Sequence, residues 1–322
     1  MPKHATFASY GQPADVIELT ETASPTLAEG EVRVNVLAAP INPADINLIQ
    51  GNYGIRPELP ATPGVEGCGE IIESLSPNFN PGDKVIFIDR SGSWSEQVTC
   101  PDNTILKIPT DTPSDQASML KVNPLTAWCM LTQLRDLPKG SWVIQNAANS
   151  GVGYCVIQIA KILGLKTINL VRREELIPDL EKLGGDICML DNRENIDTIR
   201  DKQPELALNA VGGDSALRLM DALAPQGLHV TYGAMSKLSL KVPNKFLIFK
   251  RIQIHGFWVT EWIKENDAAL VESTYQQLAQ WMIDKKLVQP IDSTHTLDEV
   301  HTAIARAQQD KREGKVLITM DN

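Results

Sequence analysis

The sequence predicts an α/β protein in which a doubly wound parallel sheet is joined to a β-rich part. Three observations carry this reading. The chain has 322 residues, which is about two ordinary domains. Its first third reads as short strands broken by turns. From near residue 119, apolar strand-like runs alternate with helical periods, the pattern of a parallel sheet covered on both faces by crossover helices.

In the first part, residues 31–37 (Glu-Val-Arg-Val-Asn-Val-Leu) alternate polar and apolar, as a strand with one buried face does. Pro81-Gly82-Asp83 turns the chain into residues 84–88, and turn residues recur at Pro60, Pro63 and Gly64. In the second part, six runs read as parallel strands: 142–147, 167–171, 187–190, 206–211, 229–232 and 252–258. Between the first two, Val152, Cys155, Val156, Ile159, Ala160 and Leu163 recur at three- and four-residue spacing, so one stripe of a helix faces the sheet until Gly164 stops it. Residues 268–286 read as one more helix, and Pro290 returns the chain to strand-like sequence. The expected division is therefore 1–118 with 289–322 for the β-rich unit, and 119–288 for the α/β unit.

Composition narrows the function. Hydrophobic residues at 43% and charged residues at 22% suit a globular protein. A formal charge of −10 disfavours nucleic-acid partners, which need a basic face. Apolar stretches such as 142–148 fall far short of the roughly 20 residues that span a bilayer, so no membrane partner is expected. Met1-Pro2-Lys3-His4 resembles neither a signal nor a transit segment, which places the protein in the cytoplasm. The cysteines at 68, 100, 129, 155 and 188 are scattered and odd in number, so neither a disulfide framework nor a zinc lobe is expected. Five scattered histidines form no catalytic order.

The segment 146–153 (Asn-Ala-Ala-Asn-Ser-Gly-Val-Gly) follows a strand and opens a helix, the context a dinucleotide fingerprint requires. Ala148 and Ser150 occupy its first two glycine positions, and Gly153 keeps the third, where a missing side chain lets helix and strand pack closely. Asn149, Ser150, Gly151, Val152 and Gly153 are thus candidates for holding a pyrophosphate at a helix N-terminus. The alternative is a small-residue turn that binds nothing. Arg172 and Arg173 follow the second strand where an NAD enzyme has Asp or Glu. Two guanidiniums suit a ribose 2′-phosphate, so NADPH is the expected cofactor. Glu174 and Glu175 come next, and the alternative is a solvated run of charge.

Several motifs carry a family resemblance across the whole length: residues 42–47 (Asn-Pro-Ala-Asp-Ile-Asn), 50–53 (Gln-Gly-Asn-Tyr), 145–153, 247–250 (Leu-Ile-Phe-Lys) and 256–258 (Gly-Phe-Trp). The chain resembles the medium-chain dehydrogenase/reductase superfamily, with its GroES-like domain and Rossmann domain. Within it the sequence looks most like the trans-2-enoyl thioester reductases, and next like the quinone oxidoreductases. Where the zinc-dependent members carry Cys and His ligands, this sequence has Pro43 and Val65, so the resemblance implies a zinc-free enzyme with no metal.

That resemblance implies an NADPH-dependent reduction of the trans-2 double bond of an enoyl thioester of CoA or acyl-carrier protein, in fatty acid metabolism. The alternative is an NADPH:quinone oxidoreductase or a general alkene reductase on the same scaffold. Tyr53 is the implied proton donor, since a phenol is protonated at neutral pH. Trp258 is implied beside the nicotinamide, with Phe257 and Val259. Further implied cofactor contacts are Asn123 and Thr126, the loop of Tyr232, Gly233, Ala234 and Met235, and Lys315. Glu174 departs from the Arg-Asp-Arg of animal members and puts part of the 2′-phosphate clamp in doubt. The resemblance also implies a homodimer joined through the sixth strand. Arg56, Lys121, Lys250 and Arg251 are candidates for a basic surface near the pocket mouth.

Overall fold

A computed structural model describes residues 1–320. The chain divides into two compact units, one made of Met1–Val122 with the residues from Ile263 onward, the other of Asn123–Trp262.

The first unit is built on a seven-stranded sheet. Its strands lie in the order Ile291–Thr296, Lys315–Thr319, Glu31–Pro40, Cys68–Ser74, Lys84–Phe87, Ile105–Lys107, and Gln97–Pro101 pairs with Glu31–Pro40 as well. The alternation expected at 31–37 buries Val32, Val34 and Val36 completely. It fails at Arg33, which is buried too. That guanidinium is satisfied by the Glu73 carboxylate, the Thr99 hydroxyl and the Pro25 carbonyl, at 2.9–3.0 Å, so burial leaves no donor stranded. These valines join Phe87, Trp94, Val316 and Ile318 in one core, against which Tyr53 packs half-buried.

The second boundary falls at 262/263 and not between 288 and 289. The helix Ala268–Ile283 is tied to the first unit: the Tyr275 hydroxyl donates to the Lys121 carbonyl at 3.2 Å and the Gln276 amide to the Lys107 carbonyl at 2.7 Å. Its apolar stripe is the same on either assignment, so sequence periodicity could not choose the partner.

The second unit is a six-stranded parallel sheet: Trp142–Gln145, Lys166–Val171, Ile187–Leu190, Leu206–Asn209, Leu228–Thr231 and Gln253–Gly256. Counted along the chain, the spatial order is third, second, first, fourth, fifth, sixth. The order reverses between the first and fourth strands, the switch point at which doubly wound folds hold ligands beyond the carboxyl ends of their strands. The expected strand 252–258 is shorter, because Phe257 and Trp258 already turn into the helix Val259–Glu265.

The helix Gly151–Leu163 ends on Gly164 at φ 75°, the left-handed cap that favours glycine. More than one stripe of it is buried, Ile157 and Gln158 included, because the helix Asn123–Thr132 packs against it. Among the described residues no helix is long and apolar enough to cross a membrane.

Candidate active site

In the second unit the chain leaves the first strand through Ala147, which takes a left-handed φ of 47°. That conformation is uncommon for a residue with a Cβ, and it sets the turn that returns into the helix. The Ser150 hydroxyl caps the helix by accepting the Gly153 N–H at 3.2 Å. A Cβ on Gly153 would collide with the Ala148 carbonyl, and one on Gly151 with the Asn123 side chain. The turn therefore has the close approach for which its glycines are needed.

Beside it, a buried amide network fixes the switch point. Asn146 Nδ2 donates to Asn209 Oδ1 and Ser215 Oγ, each at 2.8 Å, and Asn146 Oδ1 accepts the Ala210 N–H at 2.8 Å. Asn209 Oδ1 also accepts the N–H groups of Val211 and Gly212. The ends of the first and fourth strands are thus locked together, with Asn146 and Asn209 fully buried.

The remaining expected residues of this unit lie at the carboxyl ends of the strands or on the helices that follow. Asn123 and Thr126, both buried, open the helix Asn123–Thr132. Arg172 follows the second strand, exposed and with no ion pair among the described residues, whereas Arg173 pairs with Glu175 at 3.4 Å. Tyr232 and Gly233 follow the fifth strand, with Ala234 and Met235 exposed after them, and Met235 is anchored by its N–H to the Ala210 carbonyl. The Tyr232 phenol lies beside Ser150, and burial pushes it up from the ordinary tyrosine range. Its hydroxyl is a buried polar atom with no hydrogen bond of good geometry. Phe257 donates its N–H to the Thr231 carbonyl at 2.9 Å, Trp258 is 41% exposed, and Val259 is buried.

A dinucleotide fits these residues. The N-terminus of a 13-residue helix offers backbone N–H groups ahead of Gly153, the Tyr232 hydroxyl beside Ser150 makes no hydrogen bond of good geometry, and Arg172 is exposed with no ion pair among the described residues.

In the first unit, Tyr53 follows the helix Pro43–Ile49 through Gly51, which needs its left-handed φ of 72°. The Arg90 guanidinium lies over its ring, 5.3 Å from Cζ to the ring centre. Lys315 does not stand free: its ammonium donates to Asn42 Oδ1. Asn42 Nδ2 donates to Glu66 at 2.8 Å, and Glu66 also accepts the Val122 N–H at 2.9 Å.

The charges around Asn42 were not found from the sequence. Asp45, Glu66 and Lys121 are all buried. Desolvation pushes the Glu66 carboxyl up, opposed by Lys315, Asn42, the Val122 N–H and Lys121. Desolvation likewise lowers Lys121 to about 8, opposed by Glu66 and Asp89. Only the Asn42-x-x-Asp45 spacing, a capping box at the start of a helix, signalled any of this. Three of the four candidates for a basic mouth are also otherwise engaged: Arg56 Nη2 donates to the Gly51 carbonyl at 3.2 Å, Lys121 Nζ to the Val65 carbonyl and Lys250 Nζ to the Asp221 carbonyl.

Comparisons with known proteins agree with this fold. The pattern of the alcohol dehydrogenase GroES-like domain matches residues 28–110, and that of zinc-binding dehydrogenases matches residues 151–282. The mitochondrial enoyl-[acyl-carrier-protein] reductase of Xenopus tropicalis is 38% identical over 94% of this chain and 91% of its own length. The Homo sapiens protein of the same name is 37% identical over 98% and 87%. The chain belongs to the medium-chain dehydrogenase/reductase superfamily.

Solved structures of the superfamily extend the likeness. The Etr1p/NADP/crotonyl-CoA complex has a TM-score of 0.89 at 31% identity, covering 99% of both chains. The mitochondrial 2-enoyl thioester reductase heterodimer of Candida tropicalis matches equally well. A Bacillus thuringiensis protein provisionally named an NADPH:quinone reductase has a TM-score of 0.91 at 26% identity, covering 99% of this chain and 98% of its own. Among the described residues no three His, Cys, Asp or Glu side chains gather as metal ligands.

The cytoplasmic expectation is corrected by the same comparisons, since the reductases matched are named mitochondrial.

Proposed function

We propose that this chain is an NADPH-dependent 2-enoyl thioester reductase, acting on an enoyl thioester of CoA or acyl-carrier protein in fatty acid metabolism. The observation that carries the reading is the whole-length match to reductases of that name, one of them solved with NADP and crotonyl-CoA. When bound, the coenzyme supplies a hydride for the β-carbon of the substrate. The chain itself binds, orients and donates a proton.

Asn149, Ser150, Gly151, Val152 and Gly153 cradle the pyrophosphate with the helix N–H groups and the positive end of the helix dipole. Arg172, with Arg173 in support, takes the 2′-phosphate through charge-assisted hydrogen bonds. Tyr232, Gly233, Ala234 and Met235 hold the middle of the coenzyme. Asn123, Thr126, Phe257, Trp258 and Val259 orient the nicotinamide, and Lys315 acts through its bond to Asn42. Tyr53 gives its phenolic proton to the α-carbon.

The chain works as a homodimer in this reading. Gln253–Gly256 is an edge strand of the six-stranded sheet with every residue exposed, and Leu247, Ile248 and Phe249 lie exposed just before it. An unpaired edge beside such an exposed apolar run invites pairing with a second copy.

A second reading, quinone or general alkene reduction, is favoured by the Bacillus thuringiensis likeness. Loss of NADPH absorbance with crotonyl-CoA, and none above background with a benzoquinone, supports the first reading. Turnover of the quinone alone supports the second.

A further inference from the structure

Arg90 sits in the first unit, in a segment that no motif of the sequence marked. Its guanidinium lies over the face of Tyr53 at 5.3 Å. A cation there is attracted by the ring and restrains it. Arg90 is half-buried, and it is unusual among the cations of this unit in what it does not do. Its Nε and Nη1 are out of contact with water and have no hydrogen-bond partner. Arg33, by contrast, places three of its guanidinium nitrogens on a carboxylate, a hydroxyl and a carbonyl.

Among the described residues no carboxylate forms an ion pair with Arg90. Asp45 and Lys121 both feel its charge, yet the Asp45 oxygens accept backbone N–H groups, from Asn42 and Val65, each at 2.9 Å. A guanidinium with two nitrogens out of contact with water and no paired anion is screened less than one that is fully solvated. The ring that lies directly beneath this charge is the phenol of Tyr53.

We propose that Arg90 is a positioning residue for proton transfer: it fixes the Tyr53 ring and supplies the positive charge against which the tyrosinate forms. The inference rests on the reading of Tyr53 as proton donor. In the step concerned, hydride from NADPH has reached the β-carbon and left an enolate. The Tyr53 O–H bond breaks, a C–H bond forms at the α-carbon, and the electron pair of the O–H bond stays on the phenolate oxygen. Arg90 stabilises that oxygen's charge until a solvent proton restores the phenol. An acid is most effective when its conjugate base is stabilised in place before the reaction begins.

The test uses the full chain with NADPH and crotonyl-CoA, and compares Arg90→Gln, Arg90→Lys, Tyr53→Phe and the double variant Arg90→Gln/Tyr53→Phe. Arg90→Gln is expected to lower kcat roughly tenfold while KM stays within about twofold. Its solvent deuterium isotope effect should rise and the isotope effect of deuterated NADPH should shrink, because proton transfer has become the slower step. Arg90→Lys should recover part of the loss. In the Tyr53→Phe background Arg90→Gln should cost nothing further. Without coenzyme, NMR of ring-labelled tyrosine should show the Tyr53 resonance of Arg90→Gln moved and averaged.

The proposal is overturned if the Gln change costs as much without the phenol as with it, or if it raises KM alone with both isotope effects unmoved. A melting temperature lowered in Arg90→Gln but not in Arg90→Lys leaves the Lys variant's isotope effects to decide. Failure of the underlying reading looks different: Tyr53→Phe would then keep wild-type activity, or the wild type would not reduce crotonyl-CoA.

Discussion

The carboxylate of Asp45 accepts the backbone N–H of Val65 at 2.9 Å, while its other oxygen accepts that of Asn42 at 2.9 Å. One fully buried side chain thereby fastens the start of the helix Pro43–Ile49 to the segment before Cys68–Ser74. Desolvation pushes its carboxyl above the ordinary range, and the Asn42 N–H, Arg90, Lys315 and the Val65 N–H pull it back. Asp45→Ala leaves two buried donors without acceptors, each costing about 1–3 kcal/mol. Urea unfolding should show a total loss of about 3 kcal/mol, with Asp45→Asn intermediate. A loss within error of zero would mean that the carboxylate is not the fastening.

Gly153 offers a sharper steric test. A Cβ there meets the Ala148 carbonyl, a backbone atom that cannot yield without moving the turn, whereas one on Gly151 meets a side-chain amide that can rotate. Gly153→Ala should therefore cost about 1–3 kcal/mol as overpacking does, and weaken NADPH binding by at least tenfold, roughly 1.4 kcal/mol. Gly151→Ala should be milder in thermal stability. Equal melting temperatures for the two variants would contradict the packing argument.

The unequal arginines predict unequal roles. Arg172 has no ion pair among the described residues, and Arg173 is held by Glu175 at 3.4 Å. A hydrogen bond to a charged group contributes about 1.5–3 kcal/mol, so Arg172→Ala should raise the Kd for NADPH about 10- to 150-fold. The Kd for NADH should barely move. Fluorescence titration with both coenzymes reads this directly, and an equal loss for NADH would place Arg172 elsewhere than at the 2′-phosphate.

These contrasts show what could be read in the chain alone. Arg33, Ile157 and Gln158 apart, the alternation at 31–37 and the middle of the stripe between Val152 and Leu163 reported burial, because there the burial of a residue follows from its own element. Gly164 marked its helix end for the same reason. Arg33, Asp45, Glu66 and Lys121 were invisible as buried groups, since their partners come from up to 66 residues away and periodicity assigns charges to water. Arg90 carried no signal at all, because a cation laid on a ring has no spacing rule. The helix Ala268–Ile283 was seen but assigned to the wrong unit, since an apolar stripe does not name the surface that covers it. Compartment lay outside the reach of composition, as the mitochondrial relatives demonstrate.

His229 makes stability depend on acid. It lies in the fifth parallel strand, fully buried, with neither ring nitrogen hydrogen-bonded. Desolvation lowers it from the ordinary 6.5 to about 4. Above pH 6.5 the ring is neutral in both folded and unfolded chains and contributes no pH dependence. Between 6.5 and 4 the unfolded chain takes the proton and the folded one does not, so stability falls as pH falls, by about 3 kcal/mol in all. Denaturation across that range should show His229→Gln losing less stability than the wild type. Parallel curves would remove His229 as the cause.

The central claim, hydride to the β-carbon and a proton from Tyr53 to the α-carbon, is tested by following deuterium into the product. Crotonyl-CoA is reduced once with NADPH deuterated at the transferring position in ordinary water, and once with ordinary NADPH in deuterium oxide, and the butyryl-CoA is analysed by NMR. The expected result is label at the β-carbon in the first case and at the α-carbon in the second, with Tyr53→Phe lowering kcat by about 10²- to 10⁴-fold. Coenzyme-derived deuterium at the α-carbon, or Tyr53→Phe turning over at the wild-type rate, would contradict it.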